Sequence, residues 1–321
     1  MLDKACLVSG YFVNKRGWFT MKNHLKQKSI SRRLPAYAIF PLHIYSQYRV
    51  NKPFFISHHW HDEIEIIFIE KGDFIIHVNG IAHHMRKGEV LFINSQEIHQ
   101  IKATTESSIH HAIVFKPEIL LFEWHEPSAR EFINPLVQKK VKLPSNINSH
   151  SLTKKSIEHE IVNILTAYHN EKKTWRITAK ASLLRIIVDL IEHGLLNYPI
   201  SEEEIADEKS LIAKEIMTFI HENYMFKITL DMLAELVGFN THYFCKFFKS
   251  MFGKTAIEYI NEYRIEKACQ LLLQTDDKIT EIAFAVGFDS SSYFIRKFKA
   301  LKTMTPSAYR NENLAKKNVK I

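Results

Sequence analysis

Hydrophobic and polar positions change their period along the 321-residue chain. Between residues 39 and 116, short alternating runs of β-branched and polar side chains predict antiparallel β-strands. Residues 153–198 and 211–312 instead place apolar side chains three or four positions apart, which predicts helices. The pattern therefore predicts a multi-domain α+β protein, with a β-barrel and a helical hairpin first and an all-α domain last.

Turn signals divide the β-rich region at regular intervals. Gly72, Gly80 and Gly88 recur every eight residues, and this spacing is typical of consecutive hairpins. A small β-barrel or jelly roll over residues 39–116 would accommodate such hairpins.

Two helices are predicted after the barrel. Apolar stripes over residues 153–171 and 177–198 flank the polar segment Glu171–Lys173, so the two helices should form an antiparallel hairpin. One stripe can cover the barrel, and a second can pack on another copy of the chain to form a homodimer. The alternative is that the hairpin only caps the barrel.

Composition marks the boundaries of these parts. Residues 201–210 follow Pro199 and are polar and acidic, so they are predicted to form a linker. Residues 1–33 carry eight basic side chains and one acidic one, and we expect them to form a basic N-terminal extension, with Met21 as an alternative start. The sensing and dimerisation domain then spans residues 34–200.

The last hundred residues contain an internal repeat. LDMLAELVGF at residues 230–239 matches ITEIAFAVGF at residues 279–288. In each copy an apolar helix ends at a glycine, and a second helix begins after a capping residue, Asn240 or Asp289. Each copy is therefore predicted to be a helix-turn-helix unit. A generic helical bundle is the alternative, and the duplication in register disfavours it.

The second helix of each copy has two different faces. Phenylalanines one turn apart, at 244 and 248 and again at 294 and 298, should pack on the preceding helix. The opposite face carries short polar or cationic groups, which donate hydrogen bonds to base edges and phosphates. We predict DNA contacts from His242, Cys245, Lys246, Lys249, Ser291, Ser292, Arg296 and Lys299.

A single helix from Thr255 to about Gln274 is predicted between the two copies. At 1.5 Å per residue it would be about 30 Å long. Successive major grooves on one face of DNA are about 34 Å apart. One chain can therefore place both second helices in adjacent grooves.

The net charge of +8 is unevenly spread. It is +7 over residues 1–33, −3 over residues 34–207 and +4 over residues 208–321. Basic ends around a slightly acidic middle predict that the ends meet a polyanion, with a solvated lysine-rich surface as the alternative.

Several classes of protein are disfavoured by the sequence. Cys6, Cys245 and Cys269 have no CxxC spacing, so neither a disulfide framework nor a thiolate zinc site is expected, and a reducing, cytoplasmic location fits best. No apolar segment is long enough to span a membrane. No nucleophile triad, phosphate loop or dinucleotide motif is present, so we expect neither an enzyme nor a cofactor.

One polar cluster is predicted inside the barrel. His59, His61 and Glu65 share parity, so on one extended strand they would all face the interior, and His99 would join them. Such a set can bind a small polar ligand, hold a first-row divalent ion or form a structural polar network. We expect the ligand role, with metal binding as the weaker alternative. The remaining histidines of this region are expected at the rim or surface: His83, His84, His110 and His111.

The repeat resembles a known family. Residues 211–310 are similar to the C-terminal DNA-binding domain of the AraC/XylS family of transcriptional regulators. The segments that carry the resemblance are IA followed by VGF, then SYFIRKFK, then TPSAYR at Thr305–Arg310. Ala256 departs from it, because the first copy lacks a proline to match Pro306, and we expect a slight change at the start of the connecting helix.

The barrel carries a second resemblance. His59, His61, Glu65, Gly72 and His99 resemble the cupin pattern. Asn94 and Gln96 depart from that pattern, because they stand where proline and glycine are usual.

These resemblances imply a cytoplasmic transcriptional regulator, more often an activator, whose cupin-like barrel binds a small-molecule effector such as a sugar or a related metabolite. They imply double-stranded promoter DNA and RNA polymerase as partners, a homodimer through residues 153–198, and a DNA-binding domain at residues 211–312. The alternatives are a metal-dependent cupin enzyme with a DNA-binding appendage and a ligand-independent DNA-binding regulator.

Overall fold

The structure, a computed structural model, divides into two compact units, Met1–Ile205 and Ala206–Ile321. Of the predicted extension at residues 1–33, only two three-residue strands are described, and of the predicted linker only residues 208–210 are described, at the start of a helix. The other residues of both segments lie outside the described part. The structure describes residues 11–13, 19–21, 40–49, 54–122, 126–147, 151–198 and 208–318.

The first unit is built on antiparallel strands, as predicted. The described strands are β1 (Tyr11–Val13), β2 (Phe19–Met21), β3 (Leu42–Arg49), β4 (Phe55–His59), β5 (Ile64–Lys71), β6 (Phe74–Val78), β7 (Ile81–Met85), β8 (Val90–Ile93), β9 (His99–Ala103) and β10 (Ser108–Phe115). β1 pairs with β2, and the other described strands form two four-stranded sheets with the orders β3-β10-β5-β8 and β4-β9-β6-β7.

The three glycine turns serve two different purposes. Asn79 and Gly80 both have positive φ and close a hairpin between the paired strands β6 and β7. The turns at Gly72 and Gly88 carry the chain from one four-stranded sheet to the other and back. The prediction of three consecutive hairpins was wrong, because a turn signal marks where a chain reverses and not which strand it pairs with.

Strand β5 shows why this unit is a layered structure. Its side chains are buried on both faces. Ile66 and Phe68 pack among helical residues, whereas Ile67 and Ile69 pack on the second sheet. Full burial of one such side chain contributes about 1.5–3 kcal/mol, so a single strand holds both layers together.

Helices cover the outer face of the β3-β10-β5-β8 sheet. A 3₁₀ turn (Pro117–Leu120), a π-helical turn (Ala129–Ile133) and α1 (Asn134–Val137) precede α2 (Ser151–His169) and α3 (Trp175–Glu192). The last two form the predicted hairpin, and their buried stripes pack on the sheet through residues such as Ile157, Ile161, Leu183 and Ile187.

The second unit is entirely helical within the described residues. The helices are α4 (Glu208–Asn223), α5 (Leu230–Leu236), α6 (Thr241–Phe252), α7 (Ala256–Gln274), α8 (Ile279–Ala285), α9 (Ser291–Lys302) and α10 (Pro306–Asn318). The pairs α5–α6 and α8–α9 each join a short helix to a longer one and lie on either side of α7 in the chain. Both predicted helix-turn-helix units and the connecting helix are therefore present.

Local signals explain where these helices begin. The Asn240 side chain accepts a hydrogen bond from the Tyr243 amide at 2.9 Å and caps α6. The corresponding cap of α9 is Ser290, not the predicted Asp289, because the serine hydroxyl accepts from the Tyr293 amide at 3.4 Å. The fold class predicted from the sequence is confirmed in both units.

No helix in the described ranges is both long enough and apolar enough to cross a membrane.

Candidate functional site

The helices α6 and α9, here called the recognition helices, bury one face and expose the other. Phe244 and Phe248 are buried, and so are Phe294 and Phe298, with ring centroids 5.7 Å apart in both pairs. The predicted aromatic stripes are therefore core.

The predicted DNA-contact residues lie away from these stripes. Seven of the eight are exposed, and Ser291 is half-buried. In α6 the exposed residues are His242, Cys245, Lys246 and Lys249, and in α9 they are Ser292, Arg296 and Lys299. Each recognition helix therefore presents polar or cationic groups to solvent from a rigid, buried base.

The connecting helix α7 contacts the second recognition helix through a polar chain. Asn261, which is buried, donates a hydrogen bond to the Tyr293 hydroxyl at 3.2 Å. The Arg296 guanidinium carbon lies 5.2 Å from the centroid of the Tyr293 ring. Asn261 was not predicted from the sequence, although a polar side chain within an apolar helical stripe is a signal that points to it.

The two copies begin their following helices in the same way. Thr255 and Glu258 form a capping box at the start of α7, and the Thr305 hydroxyl accepts from the Ala308 amide at 3.2 Å at the start of α10. Ala256 and Pro306 are both the first residue of their helix. The expected change at Ala256 does not occur, because the threonine cap sets the start of the helix.

The polar cluster of the barrel comes from four separate places. His59 ends β4, His61 lies in the following loop, Glu65 belongs to β5 and His99 begins β9. The parity argument was therefore wrong, because the three N-terminal members do not share one strand. The structure nevertheless brings together the four residues predicted to do so, and one donor atom from each lies within 4.8 Å of the others.

Short contacts define this cluster, which we call the His₃Glu cluster. Glu65 Oε2 lies 3.0 Å from His61 Nε2 and 3.2 Å from His99 Nε2. The rings of His59 and His99 have centroids 4.1 Å apart. Glu65 and His99 are buried, whereas His59 and His61 are half-buried.

Burial and charge give the side chains of the cluster different protonation states. Burial lowers the pKa of His59 to about 3, with a further contribution from His99. Burial opposes ionisation of Glu65, but the hydrogen bond from His61 and the contact with His99 outweigh it and hold the pKa of Glu65 well below its usual value. Burial likewise acts to lower the pKa of His61, and the hydrogen bond to Glu65 raises it overall. The cluster thus contains an ion pair beside a neutral imidazole.

The loops that carry His61 and His99 are tied to each other. The Gln96 amide donates to the His61 carbonyl at 2.7 Å, and the Gln96 side chain donates to Asp62 Oδ1 at 3.0 Å. Gln96 has φ +66°, a conformation that glycine adopts without strain. This departure from the cupin pattern therefore keeps the glycine-like backbone and adds a hydrogen bond.

Asn94, the other departure, joins this region to a later segment. Its side-chain amide donates to the Leu143 carbonyl at 3.1 Å, and its side-chain oxygen accepts from the Leu143 amide at 2.8 Å. The Glu97 carboxylate accepts a hydrogen bond from the backbone amide of Asn94 at 2.8 Å. The loop before His99 is consequently held on several sides.

A second polar group lies outside the His₃Glu cluster. His111 Nε2 is 2.6 Å from Glu70 Oε2, and Ser46 Oγ lies 2.8 Å from His111 Nδ1 and 3.1 Å from His169 Nε2. His110 and His111 are both buried, so their predicted location at the rim or surface was wrong. They occupy the middle of β10, where the sheet is covered on both faces. His83 is half-buried and His84 is exposed.

Comparisons with known proteins match both units. The AraC-like ligand binding domain matches residues 42–187, and a helix-turn-helix domain family matches residues 233–312.

Two curated relatives match most of the chain, and one solved structure matches about a third of it. An uncharacterized HTH-type transcriptional regulator, YdeC, of Bacillus subtilis is 29% identical over 265 residues, covering 81% of this chain and 87% of the relative. The melibiose operon regulatory protein of Escherichia coli is 24% identical over 293 residues, with coverages of 84% and 90%. The C-terminal domain of the two-component response regulator yesN of Fusobacterium nucleatum is a solved structure, 42% identical over 30% of this chain and 97% of that domain, with a TM-score of 0.30.

The ligand-binding domain precedes the helix-turn-helix domain, which is the order that the sequence resemblance implied. That order distinguishes a DNA-binding regulator from an enzyme that carries a cupin-like barrel. The chain therefore belongs to the AraC family of transcriptional regulators.

Proposed function

We propose that this regulator is a ligand-controlled activator that reads promoter DNA with both recognition helices. In this proposal a small-molecule effector binds in the barrel and controls how the DNA-binding domain engages its promoter and RNA polymerase. The HTH-type transcriptional activator RhaS of Enterobacter, which is 21% identical over 267 residues, supports activation over repression.

The proposal that the chain reads DNA rests on one observation, namely that both recognition helices expose the same kind of polar and cationic face. Each recognition helix rests on a buried phenylalanine pair and exposes cationic and hydrogen-bonding groups at matching positions, with Lys246 matching Arg296 and Lys249 matching Lys299. Arginine donates bidentate hydrogen bonds to guanine, whereas lysines near the end of a helix contact phosphates. We assign base reading to His242, Cys245, Lys246, Ser291, Ser292 and Arg296, and phosphate contacts to Lys249 and Lys299.

The barrel part of the proposal rests on the His₃Glu cluster. We assign His59, His61, Glu65 and His99 to the polar end of the effector site, because Glu65 and His99 are buried and His59 and His61 are half-buried. The name of the melibiose operon regulatory protein supports a sugar or a related metabolite as the effector.

The helical hairpin supports pairing of two copies. Leu152 is 78% exposed and Ile177 is 73% exposed, although the same hairpin buries its other face on the sheet. Exposed apolar side chains on an otherwise packed hairpin favour a second copy as the partner. Analytical ultracentrifugation of wild type and Ile177→Lys tests this pairing, and a monomeric wild type would contradict it.

A gel-shift assay with the DNA upstream of the chain's own gene tests the function. We expect the wild type to bind this DNA in preference to scrambled DNA, and Arg296→Ala to lose about 1–3 kcal/mol of that binding. Lys209→Ala, an exposed cation on α4 outside the repeat, serves as the control and should bind like the wild type. Equal binding to both DNAs by the wild type would contradict sequence-specific regulation.

A further inference from the structure

We propose that Asn261 of the connecting helix α7 is a positioning residue that fixes the base-reading arginine of the second recognition helix. It acts through Tyr293, whose hydroxyl contacts Asn261 and whose ring lies beside Arg296. The inference rests on the proposed function, since it takes from that function the assignment of Arg296 to base reading. Asn261 is buried, so it can influence base reading only through the side chains that it contacts.

Asn261 is a polar side chain in an apolar environment. It is 6% exposed, and Tyr259 and Ile260, which precede it in α7, are buried as well. An amide taken out of water costs free energy unless its hydrogen-bonding atoms find partners. The side-chain nitrogen of Asn261 donates to the Tyr293 hydroxyl at 3.2 Å. A leucine of similar size would fill this position without an amide to satisfy, so packing alone does not require an asparagine there.

The hydrogen bond from Asn261 holds the outer end of the Tyr293 ring. Tyr293 is half-buried, and its ring centroid lies 6.0 Å from that of Phe288 in the turn of the same unit. Its backbone amide donates to the Ser290 hydroxyl at 3.4 Å at the start of α9. The residue is therefore held at its backbone, at one side of its ring and at its hydroxyl, and these contacts together restrict the orientation of the ring.

The Tyr293 ring in turn supports Arg296. The guanidinium carbon lies 5.2 Å from the ring centroid, within the range of a cation–π contact, and the two residues are one helical turn apart. Lys297 Nζ lies 5.5 Å from the same centroid, but Lys297 is half-buried and Arg296 is exposed. An arginine side chain that is already held loses less rotamer freedom on binding, and bidentate hydrogen bonds to guanine need a defined direction. Fixing the ring should therefore strengthen discrimination between bases.

The first copy of the repeat lacks this arrangement. Tyr243 matches Tyr293 but is 51% exposed, and within the described residues no group is hydrogen-bonded to its hydroxyl and no cation lies over its ring. Ile212 precedes α5 by the same number of positions as Asn261 precedes α8, so the first copy has no amide there. Lys246, the cation at the matching position of the first copy, is thus not held in advance. We therefore expect the second recognition helix to discriminate between bases more strongly than the first.

The test measures base discrimination by the full-length chain. The DNA is the upstream site mapped by footprinting, together with copies that each carry one substituted base pair beneath the second recognition helix. Fluorescence anisotropy gives the Kd for each duplex. The discrimination ratio is the Kd for a substituted duplex divided by the Kd for the parent site. A general loss of affinity or of folded protein changes both constants alike and leaves this ratio unchanged.

Three variants remove the hydrogen bond in different ways. Tyr293→Phe deletes only the hydroxyl oxygen, Asn261→Leu replaces the amide with an apolar side chain of similar size, and a double variant carries both changes. We expect each to lower the discrimination ratio by about threefold or more, at the base position that Arg296→Ala affects. Gln270→Leu is the matched control and should keep the wild-type ratio, because it changes a half-buried polar residue of α7 that has no hydrogen bond to α9 in the described residues.

The double variant separates positioning from stability. Because it replaces both partners of the bond with apolar groups, it should regain unfolding free energy lost in the single variants, yet its discrimination ratio should stay low. Urea unfolding measures the first quantity. In an Arg296→Ala background the double change should lower the ratio no further, since the side chain that Asn261 positions is then absent.

A wild-type discrimination ratio in the folded double variant would overturn the proposal, and so would a further loss in the Arg296→Ala background. Tyr293→Phe, which loses a single oxygen, provides the same comparison if the double variant fails to fold. An unchanged ratio in Arg296→Ala would instead contradict the assignment of that arginine to base reading, on which the proposal rests. A lowered ratio in Arg296→Ala, beside a wild-type ratio in the Asn261 and Tyr293 variants, would contradict the positioning role alone.

Discussion

A Cβ atom added to Gly287 would lie 2.5 Å from the carbonyl oxygen of Tyr224. It would also lie 2.9 Å from the Met225 carbonyl oxygen and 3.0 Å from Arg264 Nε. Arg264 itself donates to the Tyr224 carbonyl at 2.8 Å, so that carbonyl cannot move away without breaking this bond. The turn of the second helix-turn-helix unit therefore packs directly on the residues that follow α4.

The matching glycine of the first copy is constrained differently. Gly238 has φ +68°, yet no atom of the described residues lies within 4 Å of an added Cβ. We expect Gly238→Ala to cost about 1 kcal/mol, which is the strain of alanine at positive φ. Gly287→Ala adds a backbone clash to that strain and should cost at least about 3 kcal/mol. Urea unfolding of both full-length variants measures the difference, and equal losses would contradict this packing.

Acid should destabilise the DNA-binding unit through His221. Its ring stacks on Tyr263 with centroids 4.1 Å apart and shares a 2.9 Å hydrogen bond with the Tyr259 hydroxyl. Burial, and secondarily the charge of Lys267, lowers the pKa of His221 to about 4. In the unfolded chain the histidine has its ordinary pKa of about 6.5, so as the pH falls the unfolded chain takes up a proton at this residue before the folded chain does. Its contribution to stability is therefore complete above about pH 6.5 and is lost as the pH falls toward 4.

The variant His221→Gln isolates this effect. Between about pH 7 and pH 5 the wild type should lose about 1–2 kcal/mol of unfolding free energy from this one group. The variant should be less stable than the wild type at neutral pH and should show a shallower decline. Parallel pH profiles of the two proteins, measured by urea unfolding, would rule out His221 as the source.

Gln96 tests the backbone conformation beside the His₃Glu cluster. Both Gln96→Ala and Gln96→Gly remove the hydrogen bond to Asp62, but only alanine keeps a Cβ at φ +66°. We expect the glycine variant to be more stable than the alanine variant by about 1 kcal/mol. Thermal unfolding of the two variants measures this, and a more stable alanine variant would show that the left-handed conformation is wrong.

The two kinds of DNA contact should respond differently to salt. Lys249→Ala should weaken binding to all DNA sequences alike and reduce the slope of log affinity against log salt by about 1. Arg296→Ala should instead relax discrimination at one base position. Fluorescence anisotropy over a salt series separates the two effects. A Lys249→Ala variant with an unchanged salt slope would show that this lysine does not contact phosphate.

Much of the fold was predictable because its signals are local. The repeated VGF turns and the phenylalanine pairs at 244 and 248 and at 294 and 298 follow directly from helical periodicity and capping. Pairing between strands was not predictable in this way. Gly72 and Gly88 resemble the hairpin glycine Gly80 in sequence, and only the three-dimensional structure shows that they connect different sheets.

The four residues of the cluster in the barrel lie together as predicted, but the predicted cause, a shared strand, was wrong. The spacing of His59, His61 and Glu65 matched a known pattern, but a loop and two strands position them, not one strand. The bonds that orient their rings come from backbone carbonyls, which have no signature in the sequence. For the same reason the contacts of His111 with Glu70 and Ser46, which join three strands, were not foreseen.

The central claim is that one chain inserts two recognition helices into adjacent major grooves. Hydroxyl-radical footprinting on the upstream DNA tests it most directly. For each bound chain we predict two protected patches on one face of the duplex, about 10 base pairs apart. The Arg296→Ala variant should lose protection in one patch, and the Lys246→Ala variant should lose protection in the other. A single patch for each chain, or loss of the same patch in both variants, would contradict the claim.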